Sequence, residues 1–417
     1  MKIMLLNPPF YKFLNSHNND SRIGLGYLSA VLRKAGYDVV QYNPDYMSKE
    51  DYATQQGLFT ASTDFIDAVR KPYHPVYKDI YDTIDREKPD IVGLTVMAGT
   101  VFQAEMIAKY CSDHDIRVIV GGTMVTLALS EMMKNHNFHQ LVPGEGEKVI
   151  VQAVEHPERR VIVGINTSNL NILPFPDRDN FIGDTSEISH SGIQTARGCN
   201  NRCKYCSNHL LGGEVRFRSP ANVVTEIQDI LNKYGQRKFR IFDDTFTVNK
   251  KRVIEFCAEV KYRRLDIEFL IETRVDCLDE AMILELKSAG MNAVKLGIES
   301  GSNKILKIYK PQYNKDDIRK VVKILRDNEL FVSLNWMFGF PEETDDDLED
   351  SIAFARELGA DHNTISSLAP YYGTDLFDEL GDYDKMQWKG YFHTMKKPIM
   401  NDNLSEDLID EFLAVNE

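Results

Sequence analysis

The sequence predicts an α/β protein built from two parallel-sheet halves. Short apolar runs alternate with amphipathic stretches over residues 1–160, and the same alternation returns six times between residues 191 and 372. Such alternation indicates parallel strands covered by helices. Because a complete eight-unit barrel usually needs about 250 residues, the second half is expected to be a partial (β/α)6 barrel of the TIM type. The first half is expected to be a doubly wound, Rossmann-like domain.

The first predicted domain covers residues 1–160. Its predicted elements are a strand at 2–7, a helix at 24–36, strands at 38–42 and 90–96, a helix at 100–114 and a strand at 117–122. The run at 90–96 is apolar throughout, as expected of a strand covered on both faces. Gly36 is the predicted stop of the first helix. Residues 161–190 carry the prolines of "LPFPDRDN" and little periodicity, which predicts a linker or cap.

The predicted barrel covers residues 191–372, and a small C-terminal tail covers residues 373–417. The six strand patterns are "GIQTA", "KFRIFDD", "IEFLIETR", "NAVKLGIES", "FVSLNWMFGF" and "HNTISSLAP". A helical stretch follows each of the first five. The first of these helices has clear boundary signals, since Ser219 suits the N-cap, Pro220 the first helical position and Gly235 the stop.

The composition limits the possible partners. The 417 residues carry a formal net charge of -14, whereas a nucleic-acid-binding surface needs a positive field, so no nucleic-acid partner is expected. The acidic balance favours a cationic or neutral substrate over a polyanion. No signal peptide and no apolar run of membrane-spanning length is found, which predicts a cytoplasmic protein without a membrane partner. Disulfides are rare in the cytoplasm, so clustered thiols indicate a metal site.

Three cysteines are clustered in the segment "RGCNNRCKYCSNH". Cys199, Cys203 and Cys206 form a C-x3-C-x2-C pattern directly after the first barrel strand, where barrel enzymes keep their chemistry. Thiolates suit iron–sulfur clusters, and three of them leave one iron of a four-iron cluster open, as a catalytic site requires. His209 could instead complete a structural zinc site, and this alternative stays open.

The cysteine pattern, with the aromatic Tyr205 before its last cysteine, closely resembles the signature of radical S-adenosylmethionine (SAM) enzymes. The resemblance implies that the three cysteines hold a [4Fe-4S] cluster whose open iron binds SAM. It implies that an electron from the cluster cleaves SAM to a 5′-deoxyadenosyl radical, which removes a hydrogen atom from the substrate. An external electron donor of the flavodoxin or ferredoxin type is therefore expected.

Four later strand ends agree with the same family in the right order: "IFDDTF", "ETRVD", "GIESGS" and "FGFPEET". The resemblance implies that these ends hold SAM, whose charged groups suit Asp, Glu and Arg. Arg274 is the candidate for the SAM carboxylate, and Asp244 and Glu299 are candidates for the ammonium and the ribose. Each of these three could instead form an ion pair that stabilises a strand end. The remaining expected SAM contacts are Tyr205, Ser300 and Gly339.

Glycine-rich turns follow the strands of the first domain and would let a ligand approach the backbone. Together, "GLGYLSAVLRKAG", "VGLTV", "VIVGGTM" and "VPGEGE" closely resemble the cobalamin-binding domain that precedes the barrel in many radical SAM enzymes. The resemblance implies that cobalamin lies between the sheet and the barrel mouth. The positions that match its pocket are Asn7, Pro8, Gly24, Tyr27, Thr95, Gly99, Thr100, Gly121, Gly122, Thr123, Gly144 and Glu145.

The D-x-H-x-x-G stretch of cobalamin mutases is absent, because His114 stands in "SDHDIR" without the glycine. Cobalamin is therefore expected base-off, without a histidine ligand to cobalt. The main expectation is cobalamin-dependent methylation of an unactivated carbon of a small-molecule biosynthetic intermediate. Some members of the resembled family keep the front domain without using cobalamin. A cobalamin-independent dehydration, epimerisation or rearrangement therefore stays open.

The substrate is expected to meet aromatic side chains near the C-terminus, although packing is the more common role of such a group. These side chains are Tyr371, Tyr372, Trp388 and Tyr391. The short tail leaves little chain for recognising a peptide, which favours a small molecule. The sequence does not predict an oligomeric state.

Overall fold

The computed structural model describes residues 1–20, 22–47, 53–183 and 189–416. The first half contains a five-stranded parallel sheet with the order β2-β1-β3-β4-β5. Its strands are β1 (Lys2–Leu6), β2 (Asp38–Tyr42), β3 (Ile91–Thr95), β4 (Arg117–Gly121) and β5 (Gln140–Val142). The strand order reverses direction at β1 and β3, and ligands of open α/β sheets bind at the carboxyl ends beside such a switch point.

Helices cover both faces of this sheet, as predicted. They are α1 (Ile23–Lys34), α2 (Gln55–Ala61), α3 (Phe65–Val69), α4 (Pro75–Glu87), α5 (Val101–Asp113), α6 (Thr123–Leu127), α7 (Leu129–Met132) and α8 (Ile150–Glu155). Successive β1 side chains pack into different cores, with Met4 and Leu6 on one face and Ile3 and Leu5 on the other. This doubly covered sheet confirms the expected doubly wound domain.

The second half contains a six-stranded parallel sheet with the order β13-β12-β11-β10-β9-β6, which is the predicted partial barrel. The strands of this half are β6 (Gly192–Ile193), β7 (Ala196–Arg197), β8 (Arg216–Phe217), β9 (Lys238–Ile241), β10 (Glu268–Arg274), β11 (Met291–Glu299), β12 (Phe331–Phe338) and β13 (His362–Ser367). Strands β7 and β8 pair antiparallel. This hairpin was not predicted, and it encloses the segment that carries the three cysteines.

The helices of this half are α9 (Asn208–Gly212), α10 (Pro220–Tyr234), α11 (Lys250–Tyr262), α12 (Glu280–Ser288), α13 (Asn303–Tyr309), α14 (Lys315–Asp327), α15 (Asp345–Leu358), α16 (Asp375–Asp378), α17 (Asp382–Met386) and α18 (Glu406–Leu413). They cover the outer side of the barrel, except for α9 at its mouth and the tail helices α16 and α17. The predicted boundaries of α10 are confirmed. The Ser219 side chain accepts from the Asn222 N–H, Pro220 occupies the first turn, and Gly235 follows the helix at φ 67°.

The front domain and the C-terminal segment pack against the barrel. Gln55 donates to the Ile365 carbonyl of the edge strand β13, and Phe59 belongs to the barrel core. The tail is divided between the two halves, with Trp388 in the front core and Phe412 in the barrel core. Within the described ranges, no helix is both long and apolar enough to cross a bilayer.

The predicted linker follows the edges of the front sheet. Val161 bridges to Leu141 of β5, and Phe181 bridges to Gln41 of β2. Residues 184–188 of this linker lie outside the described residues.

Candidate active site

The three cysteines lie on the loop between β7 and α9, at the mouth of the barrel. The Cys206 N–H donates to the Cys203 carbonyl at 3.0 Å, which folds the loop into a turn. Asn201 Nδ2 lies 3.5 Å from Cys199 Sγ, and Arg274 Nη1 lies 3.9 Å from Cys203 Sγ. Since Arg274 ends β10, the loop lies against the carboxyl ends of the barrel strands.

The electrostatics show that the three thiols are neighbours. Burial raises the pKa of Cys206 to about 11, and Cys203, Asp244 and Cys199 add to the rise. Within the described residues, no group of three or more His, Cys, Asp or Glu side chains is arranged to hold a metal ion. Three neighbouring thiols on one loop suit a four-iron cluster, whose irons are held by cysteine thiolates.

Asp244 projects from the end of β9 beside the cysteine loop. Its Oδ1 accepts from Asn208 Nδ2 at 2.7 Å. Burial, and then the like charges of Asp243 and Glu272, raise the pKa of Asp244 to about 6. The residue as a whole is exposed, but it lines the cleft between the domains, where surrounding protein limits hydration of the carboxylate. Asp244 is thus a carboxylate available to an ammonium group in the cleft.

Arg274 is largely committed within the protein. Its Nε and Nη2 donate to both carboxylate oxygens of Asp276 at 2.8 and 3.1 Å, and Nη2 also reaches Gln312 at 3.1 Å. Only Nη1 is directed at the cysteine loop. The guanidinium is therefore held rigidly with one edge toward the site.

Glu299 ends β11 with φ 70°, a left-handed conformation that is uncommon outside glycine. Its carboxylate pairs with Lys310 Nζ at 3.1 Å, and both side chains are nearly buried. Lys310 Nζ also lies 5.6 Å from the centre of the Tyr205 ring. Burial, with Glu299 and Cys203 nearby, raises the pKa of Tyr205 well above its ordinary value. Glu299, Lys310 and Tyr205 therefore form one charged wall beside the cysteines.

Two other expected SAM contacts lie within the protein framework. Ser300 is fully buried, with its Oγ 3.3 Å from Ser351 Oγ. Gly339 has φ 91°, donates its N–H to Glu343 Oε2 at 2.6 Å, and packs against Pro398. These contacts tie the strand ends to the outer layer.

An open cleft separates the front sheet from the barrel mouth. Six of the twelve expected cobalamin positions line it, and Asp244 lines the facing wall. These six are Gly24, Thr95, Gly122, Thr123, Gly144 and Glu145. Gly121 lines a smaller, mainly apolar cavity beside it. The structure thus brings half of the expected cobalamin positions to the cysteine side of the molecule.

The other five expected cobalamin positions do not line this cleft. Asn7, Pro8, Tyr27 and Thr100 are buried, and Gly99 packs against Phe10 and Phe392. The Arg197 guanidinium lies 5.1 Å from the centre of the Tyr27 ring, on the side of Tyr27 that faces the barrel.

Glycines at several positions of the cleft floor let a ligand approach the backbone closely. A Cβ on Gly24 would meet no described atom within 4 Å, whereas one on Gly122 would clash with the Val96 backbone at 2.6 Å. Among the described residues that line the cleft, none is a histidine. His114 lies elsewhere, with Nδ1 2.8 Å from the Tyr110 carbonyl. The glycine positions leave room for a large ligand such as a corrin ring on this wall of the cleft.

An ion-pair network joins the front domain to the cysteine hairpin. Arg216 Nη2 and Nη1 lie 2.5 and 3.0 Å from the two oxygens of Glu145, and Arg197 lies 3.5 Å from the same carboxylate. Arg197 also pairs with Glu147 at 2.6 Å. All four side chains are at most 13% exposed. The strands of the hairpin are thus anchored to the front-domain loop that carries Glu145.

Sequence reasoning missed several residues that shape the site. Lys310, Arg197 and Arg216 are single cations in loops or short strands, and their spacing carries no signal. Only the position of Arg197, two residues before Cys199, could have drawn attention to it.

The expected aromatic substrate contacts differ in their surroundings. Burial raises the pKa of Tyr371, and the Cys206 thiol and the Tyr11 hydroxyl add to the rise, which indicates that this side chain lies between the cysteine loop and the front domain. Tyr372 packs on Trp388 at 5.4 Å, and Tyr391 is buried in the same core. Tyr371 alone of the four is next to the cysteines in the described structure.

Comparison with known proteins identifies two family regions. Residues 15–154 match the B12 binding domain, and residues 193–355 match the radical SAM superfamily. The chain is 27% identical over 406 residues to the uncharacterized methyltransferase PH0819 of Pyrococcus horikoshii, covering 91% of this chain and 83% of that protein. It is 28% identical over 422 residues to the anaerobic magnesium-protoporphyrin IX monomethyl ester cyclase of Rubrivivax gelatinosus, covering 92% and 70%.

A solved structure has the same fold. The radical SAM methyltransferase TsrM from Kitasatospora setae, with cobalamin and a [4Fe-4S] cluster bound, superposes with a TM-score of 0.65 at 16% identity. The match covers 90% of this chain and 73% of that chain. The two chains therefore share the order and arrangement of a front domain and a barrel.

Proposed function

Since the chain belongs to the radical SAM enzymes that carry an amino-terminal B12-binding domain, we propose that it methylates an unactivated carbon of a small molecule in a cobalamin-dependent reaction. One observation carries the proposal: the glycine-lined floor of the front domain and Asp244 at the barrel mouth face each other across a single cleft. A methyl carrier on one wall and SAM on the other would share one reaction space.

The chain supplies the ligands for each cofactor. Cys199, Cys203 and Cys206 would hold the cluster, and the cleft floor around Gly24 and Gly122 would hold cobalamin base-off. When bound, these groups and SAM would supply the electron, the hydrogen-abstracting radical and the methyl group. An external donor of the flavodoxin or ferredoxin type would deliver the electron.

The residues at the strand ends bind and orient. Arg274 is fixed by Asp276 and directs Nη1 toward the cysteine loop, where it would donate to the SAM carboxylate. Asp244 would accept from the SAM ammonium. Because holding reactants in place replaces a bimolecular encounter, such positioning is the main contribution of the protein to rate. The Arg216–Glu145 contact would hold the two cofactor walls at a constant separation.

A second candidate is a radical ring-forming or other reaction without net methylation. It is supported by the similarity to the magnesium-protoporphyrin IX monomethyl ester cyclase, which extends over 92% of this chain. In that case SAM would yield 5′-deoxyadenosine without S-adenosylhomocysteine.

The test begins with anaerobic purification, rebuilding of the cluster and incubation with hydroxocobalamin. After desalting, iron, sulfide and cobalt are assayed, and the products formed from SAM are quantified. We expect about four irons, stoichiometric cobalt, and both S-adenosylhomocysteine and 5′-deoxyadenosine. Cobalt-free protein that makes only 5′-deoxyadenosine would overturn the methyltransferase proposal. Zinc without sulfide would overturn the radical chemistry altogether.

A further inference from the structure

The inner face of the barrel is polar and half-buried. On β12, Val332 and Leu334 pack into the outer core, so Ser333 and Asn335 point inward by the alternation of a strand. On β11 the same rule directs Lys295 inward, between Val294 and Leu296 of the outer core. We call the enclosed space the barrel lumen. It is reached from the mouth where the cysteines lie.

Strand register places several inward residues in one row across the lumen. Lys295 is opposite Glu272 of β10 on one side and Ser333 of β12 on the other. Ser333 in turn is opposite His362 of β13. Asn335 lies two residues nearer the mouth than Ser333. The row is therefore a chemically defined surface in the middle of the barrel.

Lys295 is the unpaired cation of this row. Among the described residues, no carboxylate lies within the 4.0 Å of an ion pair with its Nζ. The neighbouring Glu272 is occupied, since its Oε1 accepts from Arg240 at 2.7 and 3.2 Å. Burial lowers the pKa of Lys295, an effect that Glu272 opposes and Arg240 reinforces. A half-buried ammonium without a carboxylate partner costs stability, which is typical of a group kept for binding.

A second polar group nearby also lacks a partner. Asn335 Oδ1 is buried, and it has no hydrogen-bond partner in the described structure. The other titratable groups near Lys295 are two histidines and an aspartate. Burial, together with Lys295 itself, lowers the pKa of both His362 and His393, which places these imidazoles nearby as neutral groups. Asp20 lies beyond, 3.9 Å from Arg240.

We propose that the lumen binds a carboxylate of the substrate, with the Lys295 ammonium as its ion-pair partner. That this carboxylate belongs to the methyl acceptor rests on the proposed function. The anion neutralises a lumen cation that has no carboxylate partner among the described residues, and Asn335 Oδ1 can accept from a donor group elsewhere on the substrate.

The neighbouring charges select a monoanion. Glu272 stands directly beside Lys295 in the register and would repel a second negative charge. A phosphate dianion or a polyanion would find one ammonium and an adjacent carboxylate. A single carboxylate needs only one cation as its ion-pair partner. The proposal is thus consistent with the acidic composition, which disfavours a polyanionic substrate.

The test measures the accessibility of Lys295 directly in the reconstituted full-length protein. Trace acetylation with acetic anhydride is followed peptide by peptide by mass spectrometry, in the presence of propionate, propionamide, inorganic phosphate or SAM at matched ionic strength. Propionate is expected to slow acetylation of Lys295 about fivefold or more at several times its Kd, with propionamide inactive. Lys238, whose side chain is 77% exposed on the same sheet, serves as the internal control and should not change.

Each other outcome overturns the inference. Equal protection by propionate and propionamide, or no protection, would show that no carboxylate site exists. Stronger protection by phosphate would assign a phosphate-bearing ligand. Protection by SAM alone would assign Lys295 to the cofactor. Because the labelling needs no turnover, its failure is distinguishable from failure of the methyltransferase proposal. The variant K295M provides a further check: it should fold with an unchanged or higher Tm, whereas a lower Tm would indicate a structural role.

Discussion

Replacing Glu145 by Gln removes the charge on which two arginines of the cysteine hairpin converge. The carboxylate has contacts at 2.5 and 3.0 Å with Arg216, at 2.8 Å with the Thr167 N–H and at 3.5 Å with Arg197. The Glu145 side chain is 13% exposed. Breaking a fully buried pair on one side costs about 3–5 kcal/mol. Partial solvent access and the shape retained by Gln reduce this to about 2–3 kcal/mol.

That free energy should appear as local opening of the hairpin. A loss of 2–3 kcal/mol corresponds to roughly 30- to 150-fold faster amide exchange, at 1.36 kcal/mol per tenfold. We expect this acceleration at residues 196–217 by hydrogen–deuterium exchange. The control E131Q removes an exposed pair with Lys134 and should change exchange by less than about threefold at either site.

The same ion-pair network predicts that the local stability of the hairpin depends on pH. Burial by itself raises the pKa of Glu145, but hydrogen bonds from Arg216 and Thr167 and the charge of Arg197 outweigh it and hold the pKa below the ordinary 4.5. A lowered folded-state pKa gives stability that is present above pH 4.5 and lost as the pH falls through the folded value. Exchange of the hairpin, corrected for intrinsic rates, should therefore accelerate below pH 4.5 in the wild type and not in E145Q. An unchanged hairpin in E145Q at neutral pH would refute the reasoning.

Three further predictions concern the cluster, a buried acid and the core. C203A should retain less than about half of the iron that the wild type binds. The control C277A removes a nearby cysteine outside the motif and should retain all of it. Equal loss of iron in the two variants would contradict the assignment of Cys203 as a cluster ligand. Burial raises the pKa of Glu343 to about 8, so ionising this carboxyl destabilises the wild-type protein as the pH rises from about 4.5 to 8. The Tm of E343Q minus the Tm of the wild type should therefore increase over that interval. A Tm difference that does not change with pH would contradict this prediction. Phe338 is 0% exposed, so F338A should lose about 3–5 kcal/mol in denaturant unfolding, while F331A, at 47% exposed, should lose less than about 1 kcal/mol.

The sequence by itself determined the two parallel-sheet halves and the place of the cysteines after the first barrel strand. The boundaries of α10 at Ser219 and Gly235 were equally readable. These features depend on local signals, such as apolar periodicity, capping residues and close spacing, which act over a few residues of chain. The resemblance to the cobalamin-binding domain suggested Gly24 and Gly122 as ligand contacts, and both line the cleft between the two halves.

Only the tertiary structure decided which charges meet. Glu145 and Arg216 are 71 residues apart in the chain, and no local pattern connects them. Lys310 lies beside Glu299, and Lys295 faces the lumen without a carboxylate partner in the described parts of the chain, because strand register and the closing of the barrel bring together residues from separate units. The energy of a charge depends on its burial and its partners, and both are set by the folded arrangement rather than by neighbouring residues in the sequence.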